Sequence, residues 1–216
     1  MVQVPTGEPV VPLDPSWPRM SLADATAALT APGSKFEMES VEIGGLATRV
    51  WKHAPHDLGQ LLDASRTHGE RLFTILDEER VTYEANWRAT ATLAQALVAM
   101  GVRKGDRVAF AMRNLPEWPV IFFAITTIGA IAVPLNAWWT GAELAYGIND
   151  SAAKLLIVDA ERHARLERHL GAMPAVERLI VARAKQRTAD TLALEDIIGR
   201  PEAWARLAVA ARPATR

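Results

Sequence analysis

Apolar residues recur along this chain in two patterns, short continuous runs and longer segments at helical spacing. The short runs lie at 72–76, 108–112, 131–135, 155–158 and 179–182. Buried strands that alternate with helices pair in parallel through right-handed crossovers. The pattern therefore predicts an α/β fold, a layered sheet with helices on both faces.

The helices between these runs have start and stop signals. Thr82 is placed as the N-cap of a helix that ends near Gly101, Pro116 opens a second helix, and Thr140 with Glu143 forms a capping box for a third. A further helix is predicted over 161–170. Within the first helix, the positions predicted to face the core are Trp87, Ala91, Ala94 and Val98.

The first third of the chain has weaker signals. A short helix is predicted over 21–31, and strand-like structure over 36–50 around the turn Gly44-Gly45. An amphipathic helix is predicted over 57–68, with one side formed by Leu58, Leu61, Leu62 and Ser65.

Both ends of the chain differ from the middle in composition. Residues 1–19 contain prolines at positions 5, 9, 12, 15 and 18, which predicts a disordered, extended tail. An alternative is that the natural chain starts at Met20. Residues 201–216 form an Ala/Arg-rich tail without an acidic residue after Glu202. This tail is interpreted either as a helix over 201–211 or as the product of a lost reading frame.

Composition excludes several classes of protein. The chain has no cysteine, so disulfides and zinc–thiolate sites are absent, and its net charge of −1 gives no general attraction to nucleic acid. The longest apolar run, 120–135, is too short for a membrane-spanning helix, and no secretory signal precedes it. We therefore expect a cytoplasmic protein with no nucleic-acid partner and no transmembrane segment.

Candidate sites for phosphate, metal and nucleophilic chemistry are weak. The glycines of Gly33-Ser34-Lys35 and of 101–107 do not match a phosphate-binding loop and are better explained by turns. His53 and His56 lack a third ligand, and no G-x-S-x-G elbow surrounds Ser151. The other histidines considered as ligands are His68, His163 and His169. No residue is assigned a catalytic, cofactor-binding or metal-binding role.

Two basic clusters and a tryptophan pair offer alternatives. The set Arg162, Arg165 and Arg168 forms a stripe interpreted as a solvated helix face, with capture of CoA phosphates as the alternative. The second set is interpreted as a surface loop and contains Arg183, Lys185 and Arg187. Trp138 and Trp139 are expected to cover the sheet or to contact another part of the protein.

Six blocks of the chain recur together in a known order. They are T-Y-E-A at 82–85, G-V-R-K-G-D-R-V-A at 101–109, M-R-N-L-P-E-W at 112–118, G-A-I-A-V-P-L-N at 129–136, T-G-A-E-L-A-Y at 140–146 and I-N-D-S-A-A-K-L-L-I-V at 148–158. In this order they resemble the N-terminal part of AMP-forming acyl-CoA synthetases, within the adenylate-forming ligases. The resemblance implies that residues 20–200 are an incomplete N-terminal α/β domain, part of the family's large domain.

The resemblance also implies a reaction and its cofactors. The complete enzyme would join a carboxylic acid, expected to be a fatty acid, to CoA with ATP and Mg²⁺, releasing AMP and pyrophosphate. The Ser/Thr/Gly-rich phosphate loop with its lysine is not in this sequence. We therefore expect that the chain alone is inactive and binds no cofactor. Its expected partner is the rest of the ligase domain, encoded by the same gene or by a separate one.

Other functions remain open at this point. The chain is alternatively a stand-alone α/β interaction module or one half of a split ligase. A third hypothesis is a different adenylating enzyme, acting on aryl acids or belonging to a peptide synthetase.

Overall fold

A computed structural model describes residues 19–184, 188, 190–211 and 213. These residues fall into two compact units, one up to Pro55 and one from His56 onward. Apart from Arg19, the proline-rich segment 1–19 lies outside the described residues, as do Lys185 and Arg187. Within the described ranges, no helix is both long and apolar enough to cross a bilayer.

The described residues of the first unit form one helix and one hairpin. Helix α1 (Leu22–Thr30) starts at Ser21, whose side chain accepts a hydrogen bond from the Asp24 N–H. Strands β1 (Met38–Ile43) and β2 (Leu46–Trp51) pair in antiparallel register around Gly44 and Gly45. Both glycines have positive φ, +57° and +82°, as a tight two-residue turn requires. The helix and the strand pair predicted here are confirmed.

The second unit alternates strands and helices, as the apolar runs predicted. Its elements are α2 (Leu58–Ser65), β3 (Leu72–Leu76), β4 (Glu79–Thr82), α3 (Tyr83–Ala99), β5 (Arg107–Ala111), α4 (Glu117–Thr127), β6 (Ile131–Pro134), α5 (Gly141–Asp150), β7 (Leu155–Asp159), α6 (Ala160–Leu166), β8 (Arg178–Ala182), β9 (Leu192–Ala193) and α7 (Leu194–Ile198). Short 3₁₀ helices lie at Arg66–His68, Glu167–Ala172 and Pro201–Arg206.

The centre of this unit is a parallel sheet. Its strands lie in the order β6-β5-β7-β8-β9, and every neighbouring pair is parallel. Strands β3 and β4 form a separate antiparallel pair. The α/β architecture with a parallel sheet is therefore confirmed, and it places the ends of β5, β6, β7 and β8 along one edge.

Helices cover both faces of the sheet. Phe110 and Ile157 face a core built with α3, α4 and α7, while Ala109 and Leu156 face a second core built with α5 and α6. Neighbouring residues of one strand point to opposite faces, so both faces of β7 are buried along its whole length. This explains why its sequence L-L-I-V lacks polar alternation.

The predicted helix ends are correct. Thr82 Oγ1 accepts the N–H of Ala85, and Thr140 and Glu143 form the complete capping box. Gly101, just past α3, has φ +90°, the left-handed conformation that terminates a helix. The predicted helix over 161–170 is present as α6, followed by a 3₁₀ turn.

Two predicted helix faces need correction. In α2 only Gly59 and Leu62 are buried, whereas Leu58 and Leu61 are 39% and 47% exposed. In α3 the buried face extends through Leu97, and Val98 is 46% exposed. Successive helical residues point about 100° apart, so the residue after Leu97 turns away from the core.

The C-terminal part of the described chain contributes to the core. Trp204, in the 3₁₀ helix, is fully buried, and its Nε1–H donates to the Gly199 carbonyl. Residues 207–211 are not helical. Arg88 and Gln95 of α3 donate to the carbonyl groups of Leu207 and Ala211, which holds this segment against the helix.

Candidate functional site

The carboxyl edge of the parallel sheet is the candidate site. From β5 the chain continues to β6 on one side, whereas β7 lies on the other side of β5. Helices α4 and α6, which follow β5 and β7, therefore pack on opposite faces of the sheet. This arrangement is a topological switch point, and ligands of open α/β sheets bind in the crevice that it creates.

Asp159 occupies that crevice. It is the last residue of β7 and only 5% exposed. Its Oδ2 accepts the Arg113 N–H at 3.0 Å and Nη1 of Arg162 at 2.9 Å, and its Oδ1 accepts the Arg162 N–H at 2.9 Å. The carboxylate thus joins the segment after β5 to the start of α6.

Arg162 and Arg165 extend these connections to the loop after β6. Arg162 Nε donates to the Ala137 carbonyl at 2.8 Å, and Arg165 Nη1 donates to the carbonyls of Ala137 and Trp139 at 3.2 and 2.9 Å. Arg162 is only 1% exposed, so the interpretation of this stripe as a solvated helix face is wrong for Arg162. These two guanidinium groups hold the chain's own backbone carbonyls.

The loop after β6 presents one exposed aromatic ring. Trp138 is 69% exposed, and the guanidinium carbon of Arg113 lies 3.9 Å from the centre of its ring, a cation–π contact. Trp139 instead packs into the core of α5 and α6. The expectation that this pair covers the sheet is therefore met by Trp139, while Trp138 remains at the surface.

A second polar cluster lies at the end of β8. Arg183 donates to both carboxylate oxygens of Glu117 and to Glu79, and its own N–H donates to Glu195. A cavity of about 610 Å³ adjoins these groups and also contacts Arg200. Arg183 therefore belongs to a partly buried ion-pair network, an interaction that its interpretation as part of a surface loop did not include.

The charge state of this cluster depends on burial. Glu117 is 3% exposed, and its burial raises the pKa above the ordinary value of 4.5, while the ion pair with Arg183 opposes that shift. Glu79 adds a further negative charge, which also raises the pKa. The network holds α4 and β4 against the end of β8.

The glycine candidates have backbone conformations typical of turns. Gly101 and Gly105 have φ values of +90° and +84° and form turns at the end of α3 and before β5. Gly33 likewise has a positive φ, and its N–H donates to Glu37, which also pairs with His53 at 3.5 Å. The glycines are thus explained by backbone conformation.

The remaining candidates have structural partners too. Ser151 caps the end of α5, where its hydroxyl donates to the Ile148 carbonyl. His68 contacts the ring of Tyr83, and His163 lies on α6. Throughout residues 19–184, 188, 190–211 and 213, no group of three or more His, Asp or Glu side chains could hold a metal ion.

These contacts decide how well the chain fits ATP and Mg²⁺. The N–H groups and the guanidinium nearest the switch point already bind Asp159, and the described residues provide no carboxylate set for a cation. No described residue is therefore assigned to the binding of ATP or Mg²⁺.

The role of Asp159 was not predicted from the sequence, although a signal exists. An Asp that follows an apolar strand, with a helix starting at the next residue, is a typical N-cap. Its bond to Arg113 joins residues 46 positions apart, and sequence spacing does not reveal such a contact.

Similar proteins are acid–CoA ligases. Residues 61–209 match the family model described as AMP-binding enzyme. The chain is 41% identical over 93 residues to the 3-hydroxybenzoate–CoA/4-hydroxybenzoate–CoA ligase of Thauera aromatica, a match that covers 43% of this chain and 18% of that ligase. It is 32% identical over 107 residues to the long-chain-fatty-acid–CoA ligase FadD13 of Mycobacterium tuberculosis, covering 48% of this chain and 21% of that ligase.

Comparison with solved structures also finds a CoA ligase with a similar fold. The anthranilate CoA ligase AuaEII, solved in complex with anthranoyl-AMP, superimposes with a TM-score of 0.63 and 24% identity over 76% of this chain and 31% of that one. The chain thus matches about a fifth of the length of the two curated relatives and about a third of this solved ligase. Because the family model covers more than half of the chain, the protein belongs to the AMP-binding enzyme family.

Proposed function

We propose that this chain forms the N-terminal segment of the large domain of an AMP-forming acid–CoA ligase. The complete enzyme would convert a carboxylic acid and ATP to an acyl-adenylate and pyrophosphate. Attack by the CoA thiol would then give acyl-CoA and AMP. The observation that supports this proposal is the family match over 61–209, which includes the parallel sheet and the residues at its carboxyl edge.

The role of the chain in that enzyme is structural. Asp159, Arg162 and Arg165 bind one another or nearby backbone groups, so they fix the loops at the carboxyl edge. We propose that the chain alone does not adenylate, and that ATP, Mg²⁺ and CoA bind to the complete enzyme. The partner of this chain is the rest of the ligase domain. We also propose a cytoplasmic location for the enzyme.

Two substrate classes are supported by different relatives. A fatty acid is the first proposal, because FadD13 is named a long-chain-fatty-acid–CoA ligase and is 32% identical over 48% of this chain. An aryl acid is the second candidate, because the more identical Thauera relative is named a hydroxybenzoate–CoA ligase. Assays of a completed enzyme with palmitate and with 3-hydroxybenzoate would separate the two.

A segment exchange tests the proposed role. The 93-residue segment of this chain would replace its 41% identical counterpart in the Thauera ligase. If the segment has the proposed role, the chimera forms 3-hydroxybenzoyl-CoA in an ATP-dependent reaction. The unmodified ligase is the control for activity, and its thermal unfolding is the control for folding. A chimera that unfolds cooperatively like the host but forms no thioester would contradict the proposal.

A further inference from the structure

We propose that β2 (Leu46–Trp51) is a dimerisation edge, at which two copies of this chain pair in antiparallel register about a two-fold axis at Thr48. The two hairpins would then form one four-stranded sheet, in the order β1-β2-β2-β1. The proposal concerns the chain itself, so it does not depend on the proposed ligase activity.

The hairpin belongs to a unit without a buried core. None of the described residues of the first unit, 19–55, is buried. One face of the hairpin is nevertheless apolar, and on it Ile43 and Leu46 are 54% and 71% exposed. The side chains of this apolar face are those of Val41, Ile43, Leu46, Thr48 and Val50. A two-stranded sheet is marginally stable in water, whereas three or more strands with a hydrophobic face can be stable. Further strands would therefore stabilise this hairpin.

The outer edge of β2 has main-chain groups available for pairing. The register between β1 and β2 is unbroken, and Lys52, just past β2, donates its N–H to the Glu37 carbonyl, just before β1. The hydrogen-bonding groups of successive residues point to opposite sides of a strand. Ala47 and Arg49 therefore direct their N–H and C=O groups away from β1. Among the described residues, β2 pairs only with β1.

The sequence of β2 is complementary to itself in one register. With Thr48 on the axis, Leu46 of each copy lies opposite Val50 of the other, and Thr48 lies opposite Thr48 of the second copy. All three residues are on the apolar face, so that face continues across the junction. Ala47 of each copy and Arg49 of the other would exchange main-chain hydrogen bonds. Apolar pairs and Thr–Thr pairs at directly opposed positions stabilise antiparallel sheets.

The opposite face of the hairpin also fits this register. Trp51 is 59% exposed and would lie opposite Gly45 of the second copy, where no side chain obstructs the indole. An aromatic ring that covers a glycine on the neighbouring strand stabilises the pairing. Arg49 is the one charged residue of β2 and would lie opposite Ala47. No like charges are therefore directly opposed.

The outer edge of β1 does not fit a second copy in this way. β1 contains Glu39 and Glu42, so pairing two β1 strands would bring four carboxylates together in adjacent strands. Like charges on neighbouring strands disfavour pairing, and charged residues commonly protect edge strands from self-association. β2 has neither a lysine nor a proline nor a bulge. The charge pattern thus selects β2 as the dimerisation edge.

Sedimentation equilibrium of the purified chain tests the proposal. The interface is small, so we expect a monomer–dimer equilibrium with a Kd of about 1–100 µM. Ala47→Pro removes an N–H that points away from β1, a position where an edge strand tolerates proline. It should raise the dimer Kd at least about 10-fold, because two hydrogen bonds across the junction are lost.

Ser40→Pro is the matched control. Ser40 pairs with Arg49 in the hairpin and likewise directs its N–H away from the other strand, but on the outer edge of β1. It should leave the dimer Kd unchanged. The proposal would be overturned by a chain that is monomeric throughout this concentration range, by equal effects of the two proline variants, or by no effect of Ala47→Pro.

Cross-linking gives a second test that does not depend on proline. The chain has no cysteine, so each single-cysteine variant reports one contact. In Thr48→Cys the two thiols would be directly opposed, with Cα atoms about 4.5 Å apart, within reach of a disulfide. Val41→Cys is the control, because Val41 lies opposite Thr48 on β1 and its two copies would be roughly 14 Å apart. Mild oxidation should link Thr48→Cys into a dimer and leave Val41→Cys monomeric. Equal cross-linking of the two variants, or none in Thr48→Cys, would contradict the proposal.

Discussion

Arg183 and Glu117 form a two-point ion pair between the end of β8 and the start of α4. Nε of Arg183 lies 2.8 Å from Oε1 of Glu117, and Nη2 lies 3.0 Å from Oε2. The Glu117 side chain is 4% exposed, whereas that of Arg183 is 32% exposed. A buried carboxylate therefore depends on a guanidinium that approaches from the surface.

Loss of this guanidinium should destabilise the protein. Arg183→Met leaves Glu117 buried without its cation, and we expect a loss of about 2–3 kcal/mol in the free energy of unfolding near neutral pH. This is below the ~3–5 kcal/mol typical of fully buried pairs because Arg183 is partly solvated. Urea denaturation of the two proteins measures the difference.

The same variant has a predicted pH dependence. Burial raises the folded-state pKa of Glu117 above its ordinary value of 4.5, and loss of Arg183 should raise it further. A raised carboxyl pKa contributes stability that is complete below the unfolded pKa and is lost as pH rises through the folded pKa. Destabilisation by Arg183→Met should thus be smaller at about pH 4.5 than at about pH 8. Arg183→Met/Glu117→Gln is the control, and a pH effect of equal size in it would argue against Glu117 as the source.

Gly141 should not tolerate a side chain. A Cβ at this position would overlap the carbonyl oxygen of Arg165 and lie 2.9 Å from Cδ2 of His169. Because the first contact is with backbone, the strain cannot be relieved by a rotamer change, and Gly141→Ala should cost about 2–3 kcal/mol. Gly171→Ala is a matched control, since a Cβ there meets nothing within 4 Å. Similar unfolding midpoints for both variants would contradict this packing.

Trp204 should be essential for stability. It is fully buried in the core shared with α3 and α7, although it lies in the Ala/Arg-rich tail 201–216 defined from composition. Trp204→Ala should cost about 3–5 kcal/mol, the usual loss for a large buried aromatic side chain. Trp138→Ala, at a position that is 69% exposed, should cost less than about 1 kcal/mol. Near-equal effects in thermal unfolding would place Trp204 outside the core.

The elements with local signals could be predicted from the sequence. Thr82 and Thr140 mark helix starts through bonds to residues three positions later, and the apolar run at 155–158 marks a strand buried on both faces. These features depend on neighbouring residues, so spacing alone reveals them. The order of the strands depends on the crossover connections. The sequence predicted an α/β fold but not this order.

The polar contacts at the carboxyl edge could not be predicted in the same way. Arg162 has the spacing of a surface stripe, but the Ala137 carbonyl that it binds is 25 residues earlier in the chain. Arg183 and Glu117 are 66 residues apart. Such pairs form only once the sheet has brought strand ends together, and a single sequence contains no record of that proximity. Family resemblance showed the type of protein without showing these contacts.

The most direct test of the account is ATP–pyrophosphate exchange by the purified chain. The assay would contain Mg²⁺ and either palmitate or 3-hydroxybenzoate, with the Thauera ligase as the positive control for the aryl acid. We predict no acid-dependent exchange above the protein-free rate, because no group of three or more His, Asp or Glu side chains among the described residues could hold a metal ion and the main-chain N–H groups of Arg113 and Arg162 already bind Asp159. Acid-dependent exchange that increases with the concentration of the chain would contradict the central claim that this segment needs the rest of the ligase domain.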